Sequence, residues 1–96
     1  MFIVLLTYLQ PLDAVDALLT AHRAFLEQQY AAGRFLLSGP QKPREGGVIL
    51  AKAASKAQLQ AILEEDPFRQ HGVASYQVIE FVPAMAAPDL KWALQA

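Results

Sequence analysis

His22 and Asp66 are the side chains of this sequence best placed to move a proton together. His22 recurs with Val15, Leu18, Leu19, Phe25 and Leu26 at spacings of three and four, so it lies on the apolar stripe of a helix. Asp66 follows Ile62 and Leu63 at the same spacings, on the stripe of a second helix. A polar group on such a stripe is costly unless it has a partner. An imidazole and a carboxylate that both point inward can satisfy each other. The carboxylate then fixes the tautomer and raises the ring's basicity, leaving the second nitrogen as general acid or base near neutral pH. At 1.5 Å of rise per residue, Asp66 lies about 16 Å along its helix from Ser55, and His22 about 14 Å along its own from Asp13. With the two helices running in opposite senses, those levels are compatible. Each residue also has a plainer role: His22 as a satisfied core histidine, Asp66 as the cap of the Asp66-Pro67-Phe68 turn, bonding nearby amides.

Other residues could serve a ligand. Ser38, just before Gly39-Pro40, carries a hydroxyl that can hold a substrate oxygen or cap a turn. No nucleophile-elbow context surrounds it, which disfavours a Ser–His–Asp hydrolase. Gly39 allows close backbone approach to a ligand or simply serves turn geometry. Arg34 can contact an acidic ligand or sit in solvent, and Phe68 and Tyr76 can wall a pocket or pack. His71, before Gly72, reads as a solvated helix end. Glu64-Glu65 reads as a solvated helix face. Gly46-Gly47 lacks the strand-to-helix context of a phosphate loop and reads as part of a hairpin.

Composition narrows the chemistry further. The chain has no cysteine, which excludes thiol nucleophiles, disulfides and cysteine-ligated zinc. Its two histidines make a dedicated metal site unexpected, and no cofactor is called for. Eight basic and nine acidic residues are scattered along it, for a net charge of −1, so a nucleic-acid partner is not expected. The opening MFIVLLTYL is apolar but lacks a basic leader and falls short of the roughly 20 residues a bilayer requires. It reads as a strand, in a cytoplasmic protein without a membrane partner.

The elements that must position these groups follow from periodicity and breakers. Strand residues run over 2–9 until Pro11. A helix spans 13–32 and closes at Gly33. RFLLS, 34–38, is a short strand broken by Gly39-Pro40, and 41–47 form a hairpin loop before a strand at 48–53. Ser55 and Gln58 sign a capping box for a helix over 55–65. Pro67 starts a short helical turn ending near Gly72, and SYQVIEFV, 75–82, is the clearest strand. A tail, 84–96, follows the core at 1–83 within one domain, 1–96. Strand–helix–strand–strand–helix–strand is the ferredoxin-like α+β plan: an antiparallel sheet with both helices on one face. Residues 2–6 are apolar on both faces of their strand, and the chain is 54% apolar, above the usual range of about 45–50%. A second copy packed on the open face, giving a homodimeric α+β barrel, is the expected solution.

The strings SGPQKPREGGVILAKA and EEDPFRQHGVASYQVIEF, with AHRAFLEQQYAAGRFLLSGP upstream, resemble the YciI-like family over about residues 1–83. The resemblance implies a dimeric α+β barrel with an active site around a histidine–aspartate pair, which maps to His22 and Asp66. Many relatives carry an arginine three residues before that histidine, where this chain has Leu19; Arg23 and Arg34 are candidate replacements. The resemblance also extends to a dehydrochlorinase of aromatic-ring degradation and, more distantly, to muconolactone isomerases. The expectation is a cofactor-independent lyase or isomerase acting on a small organic acid by elimination, isomerisation or lactone chemistry. Its substrate would contact Ser38, Gly39, Arg34 and Phe68. The alternative is a non-catalytic ligand-binding or interaction module in which His22 and Asp66 are structural.

Overall fold

The computed structural model describes residues 1–94. Four strands, β1 (Phe2–Tyr8), β2 (Phe35–Pro40), β3 (Gly46–Ala51) and β4 (Ala74–Glu80), form one sheet in the order β2-β3-β1-β4. Every neighbouring pair is antiparallel. Between β1 and β2 lie α1 (Leu12–Ala17) and α2 (Leu19–Ala31); between β3 and β4 lie α3 (Lys56–Leu63) and α4 (Pro67–Gln70). This is the expected ferredoxin-like α+β arrangement.

Alternation along β1 separates the two faces of the sheet. Phe2, Val4 and Leu6 are buried beneath the helices with Val15, Phe25, Leu59, Leu63 and Phe68. Ile3 and Leu5 point to the opposite face and are only half-buried. The register puts Val48, Leu50 and Ile79 on that face too. Ile79 is 40% exposed.

Local chemistry explains most of the element ends. The Ser55 side chain accepts the Gln58 N–H at 3.1 Å, and the Gln58 side chain accepts the Ala54 N–H at 2.7 Å, so the capping pair forms. Gly33 and Gly72 take positive φ angles of 74° and 67°, ending α2 and α4 as left-handed residues. Several boundaries differ from expectation, and the helix read over 55–65 ends at Leu63, so Asp66 lies beyond it as the extended N-cap of α4 and not on its stripe. The helix read over 13–32 is interrupted at Leu18, which has φ −104° and ψ 1° and turns its N–H to the Val15 carbonyl. Strand β2 runs through Gly39-Pro40 instead of stopping before it. It is an edge strand, where the missing proline N–H is tolerated. Strand β3 begins at Gly46, not Val48, because β1 passes against it. A Cβ at Gly46 would lie 1.7 Å from the Leu6 carbonyl oxygen.

The tail expected over 84–96 forms a short 3-10 helix, Pro88–Ala93, with Trp92 exposed and the Lys52 ammonium 5.7 Å from its ring centre. Residues 95 and 96 lie outside the described residues. No helix among the described residues is long and apolar enough to cross a membrane.

Candidate active site

Helix α2 buries one face, and that face carries His22, Phe25 and Gln29. His22 Nδ1 lies 2.8 Å from Asp66 Oδ1. Because a carboxylate only accepts, Nδ1 carries a proton and donates it; in a neutral ring the lone pair then falls on Nε2. The imidazole stacks face to face on Phe68, with centroids 3.8 Å apart and planes 2° from parallel. Phe68 in turn receives Tyr8 edge-on at 6.2 Å. The ring is therefore fixed by one hydrogen bond and one flat contact. Among the described residues Nε2 has no protein partner, yet no buried polar side-chain atom lacks one, so Nε2 is open to solvent.

Asp66 is fully buried and its carboxylate is shared among three donors. Oδ1 takes the Phe68 N–H at 3.0 Å as well as His22, and Oδ2 takes the Tyr76 hydroxyl at 2.6 Å. It is the N-cap of α4, with Pro67 at the first helical position. The capping role and the histidine-partner role, alternatives in the sequence, thus coexist on one oxygen. Tyr76 supplies the bond that sequence reasoning missed. It was read as a residue that can wall a pocket or pack, but nothing in the local spacing pointed it at Asp66. Burial pushes the Tyr76 phenol well above its ordinary value, helped by the Asp66 charge and hydrogen bond, so it stays a donor.

In front of His22 lies a cleft of about 440 Å³ between α2 and the sheet. His22, Ser38, Gly39 and Phe68 line it, while Asp66 sits behind the imidazole. The Ser38 hydroxyl is hydrogen-bonded to the Tyr30 hydroxyl. Gly39 lies within β2 with open space where a Cβ would be, so neither a turn nor crowding dictates glycine there. Arg34 is not a lining residue: its guanidinium turns back to the Gln29 side-chain oxygen at 3.2 Å, beyond the end of α2. Arg23, Arg44 and Tyr8 line the cleft instead. Arg23 is marked by its place next to His22, whereas Arg44 falls in the hairpin loop, where no periodicity aims a side chain. His71 is exposed at the end of α4. No group of three or more His, Cys, Asp or Glu among the described residues is arranged to hold a metal ion.

Comparison with solved structures finds the same fold elsewhere. The chain is similar to 5-chloro-2-hydroxyhydroquinone dehydrochlorinase from Burkholderia phenoliruptrix AC1100, solved in complex with 2,5-dihydroxybenzoquinone. The TM-score is 0.70 and the identity 22%, over 84% of this chain and 93% of that one. At that identity the likeness concerns the fold. Among curated proteins no relative matches. The model of the YCII-related domain, however, matches residues 1–82, the whole sheet together with the helix that carries His22 and the turn that carries Asp66. By that match the chain belongs to the YCII-related domain family.

Proposed function

We propose that the protein is a cytoplasmic, cofactor-independent enzyme in which His22 acts as general acid and base on a small unsaturated or cyclic organic acid. One observation carries this reading: Nδ1 is committed to a buried carboxylate at 2.8 Å, while the same ring lines an open cleft. A neutral imidazole with its tautomer fixed presents a basic Nε2 to whatever enters. Nε2 takes a proton from the substrate, the released electron pair moves into the conjugated system, and a leaving group departs or a double bond shifts. The imidazolium so formed is stabilised by Asp66, which is held by Tyr76 and the Phe68 amide. Phe68 and the aliphatic wall suit a flat ring, and Ser38 and Gly39 offer polar atoms at its rim. Elimination is favoured within this class by the dehydrochlorinase that shares the fold.

The test is turnover by His22→Asn on a panel of chlorinated hydroxyhydroquinones and unsaturated lactones. Activity is expected to fall by about 10²–10⁴-fold, the usual contribution of a positioned acid or base. Full activity would sink the mechanism.

The apolar open face of the sheet supports the homodimer as part of this proposal. Ile3, Leu5 and Leu50 are half-buried there, and Ile79 is exposed without a cover. A monomer in analytical ultracentrifugation at micromolar concentration would contradict it.

A second reading rests on the saturation of Asp66, which takes bonds from three elements and is suited to holding a fold together. In that case the protein is a non-catalytic ligand-binding or interaction module with the pair as a staple. It predicts no turnover by the native protein on any member of the panel.

A further inference from the structure

Every fully ionised side chain lining the cleft is a cation. Arg23 and Arg44 line it together with His22, and no Asp or Glu is among the lining residues. The remaining wall is largely aliphatic and aromatic.

Arg44 is held in place. Its loop is closed by Gln41 N–H to the Gly46 carbonyl and by Tyr8 N–H to the Glu45 carbonyl, each at 2.9 Å. The Gln41 side chain donates to the Leu6 and Gly47 carbonyls, each at 3.3 Å. From this loop the Arg44 guanidinium lies 5.9 Å from the centre of the Tyr8 ring. Nη2 donates to Asp16 Oδ1 at 2.5 Å, so Asp16 engages one N–H of a group that carries five. The Asp16 side chain is 51% exposed and that of Arg44 35%, and a solvated contact of this kind is weak and exchangeable. A planar anion in the cleft can engage two parallel N–H groups of the fork at once, the stronger geometry.

We infer that Arg44 is a specificity-determining residue that selects ligands carrying a planar anionic group with two adjacent oxygens, a carboxylate or an ionised ring hydroxyl beside a ring carbonyl. Asp16 is the protein's own anion on that guanidinium, and the ligand's anion replaces it. Arg23, next to His22 in sequence, adds a second positive charge on the α2 side. The inference rests on the reading of this cleft as the substrate site, and it names the substrate class for that site.

Calorimetric titration with 2,5-dihydroxybenzoquinone, ionised at neutral pH, and with hydroquinone, its neutral ring counterpart, tests it. The native protein should bind the anion about tenfold or more tightly than the neutral ring, with the gap closing as salt is raised. Arg44→Gln should lose about tenfold in affinity for the anion and leave hydroquinone unchanged. Asp16→Asn should bind the anion several-fold more tightly, a gain that a merely structural role for the pair would not produce. Failure of the native protein to prefer the anion, native-like affinity in Arg44→Gln, or weaker binding in Asp16→Asn would each overturn it. His22→Asn separates the two ideas. If that variant loses turnover while Arg44→Gln keeps full anion affinity, the selection by Arg44 is wrong and the acid–base reading stands. If anion binding depends on Arg44 but turnover does not depend on His22, the reverse holds.

Discussion

Two acidic side chains meet basic partners that line the same cleft, at nearly the same distance. Asp66 and His22 are 2.8 Å apart, and Asp16 and Arg44 2.5 Å. The shorter pair is the solvated one. Asp16 accepts its one cross-element bond from a loop, with half of its side chain in water. Asp66 is wholly enclosed and joins α2, α4 and β4 through three donors. Distance therefore says little about what each pair contributes. The number of groups stranded when the acid is removed says more, because a buried donor without an acceptor bears its full desolvation cost. One pair is built to stay closed, and the other is free to exchange partners.

The largest expected effect separates them at once. Asp66→Ala strands His22 Nδ1, the Tyr76 hydroxyl and the Phe68 amide, and should cost about 3–5 kcal/mol in urea unfolding. A loss below about 1 kcal/mol would mean the enclosure is looser than its geometry. Next comes Tyr76→Phe, which removes one bond to a charged acceptor and should cost about 2 kcal/mol. Its second readout is the NMR titration of His22, which should shift if Tyr76 helps set the charge on Asp66.

A smaller effect appears at high pH. The folded-state value of Tyr76 is raised above its ordinary 10.0, chiefly by burial, so its contribution is intact below pH 10 and is lost progressively above it. Melting curves should fall more steeply above pH 10 for the native protein than for Tyr76→Phe; parallel curves would break the assignment. The smallest effect belongs to the solvated pair. The Arg44 hydrogen bond lowers the Asp16 carboxyl below its ordinary 3.8, so what it adds is present above that pH, lost as pH falls, and screened by salt. Asp16→Asn should lower the melting temperature at neutral pH by about a degree at most, and a marked drop would show the pair to be structural.

The buried pair was legible in the sequence because burial leaves a trace there. A histidine on an apolar stripe is conspicuous, and Ser55 with Gln58 announces the helix leading to Asp66, although the aspartate caps the next helical turn instead of lying on that helix's stripe. Tyr76 was legible only as a residue that can wall a pocket or pack, since a strand's sequence does not name a partner across space. The exchangeable pair left no trace. Arg44 lies in a hairpin loop, and its reach to Asp16 depends on how that loop is folded back on β1. Arg34, read as a possible contact for an acidic ligand, turns instead to Gln29 past the end of α2. The break at Leu18 has no glycine or proline to signal it, and the persistence of β2 through Pro40 required knowing that the strand lies at an edge.

Gly46 gives this division of labour a boundary. No side chain fits between it and Leu6, so the start of β3 is pinned to β1 at one residue. Upstream of that pin, positions 42–45 carry Arg44 on a turn outside the sheet, tied to β1 by the Tyr8 N–H on the Glu45 carbonyl. Downstream, Gly47 and Ile49 form the floor beneath His22. The scaffold is thus modular: the charge that chooses a ligand can be rewritten in a few loop positions, while the imidazole and its buried acid stay untouched.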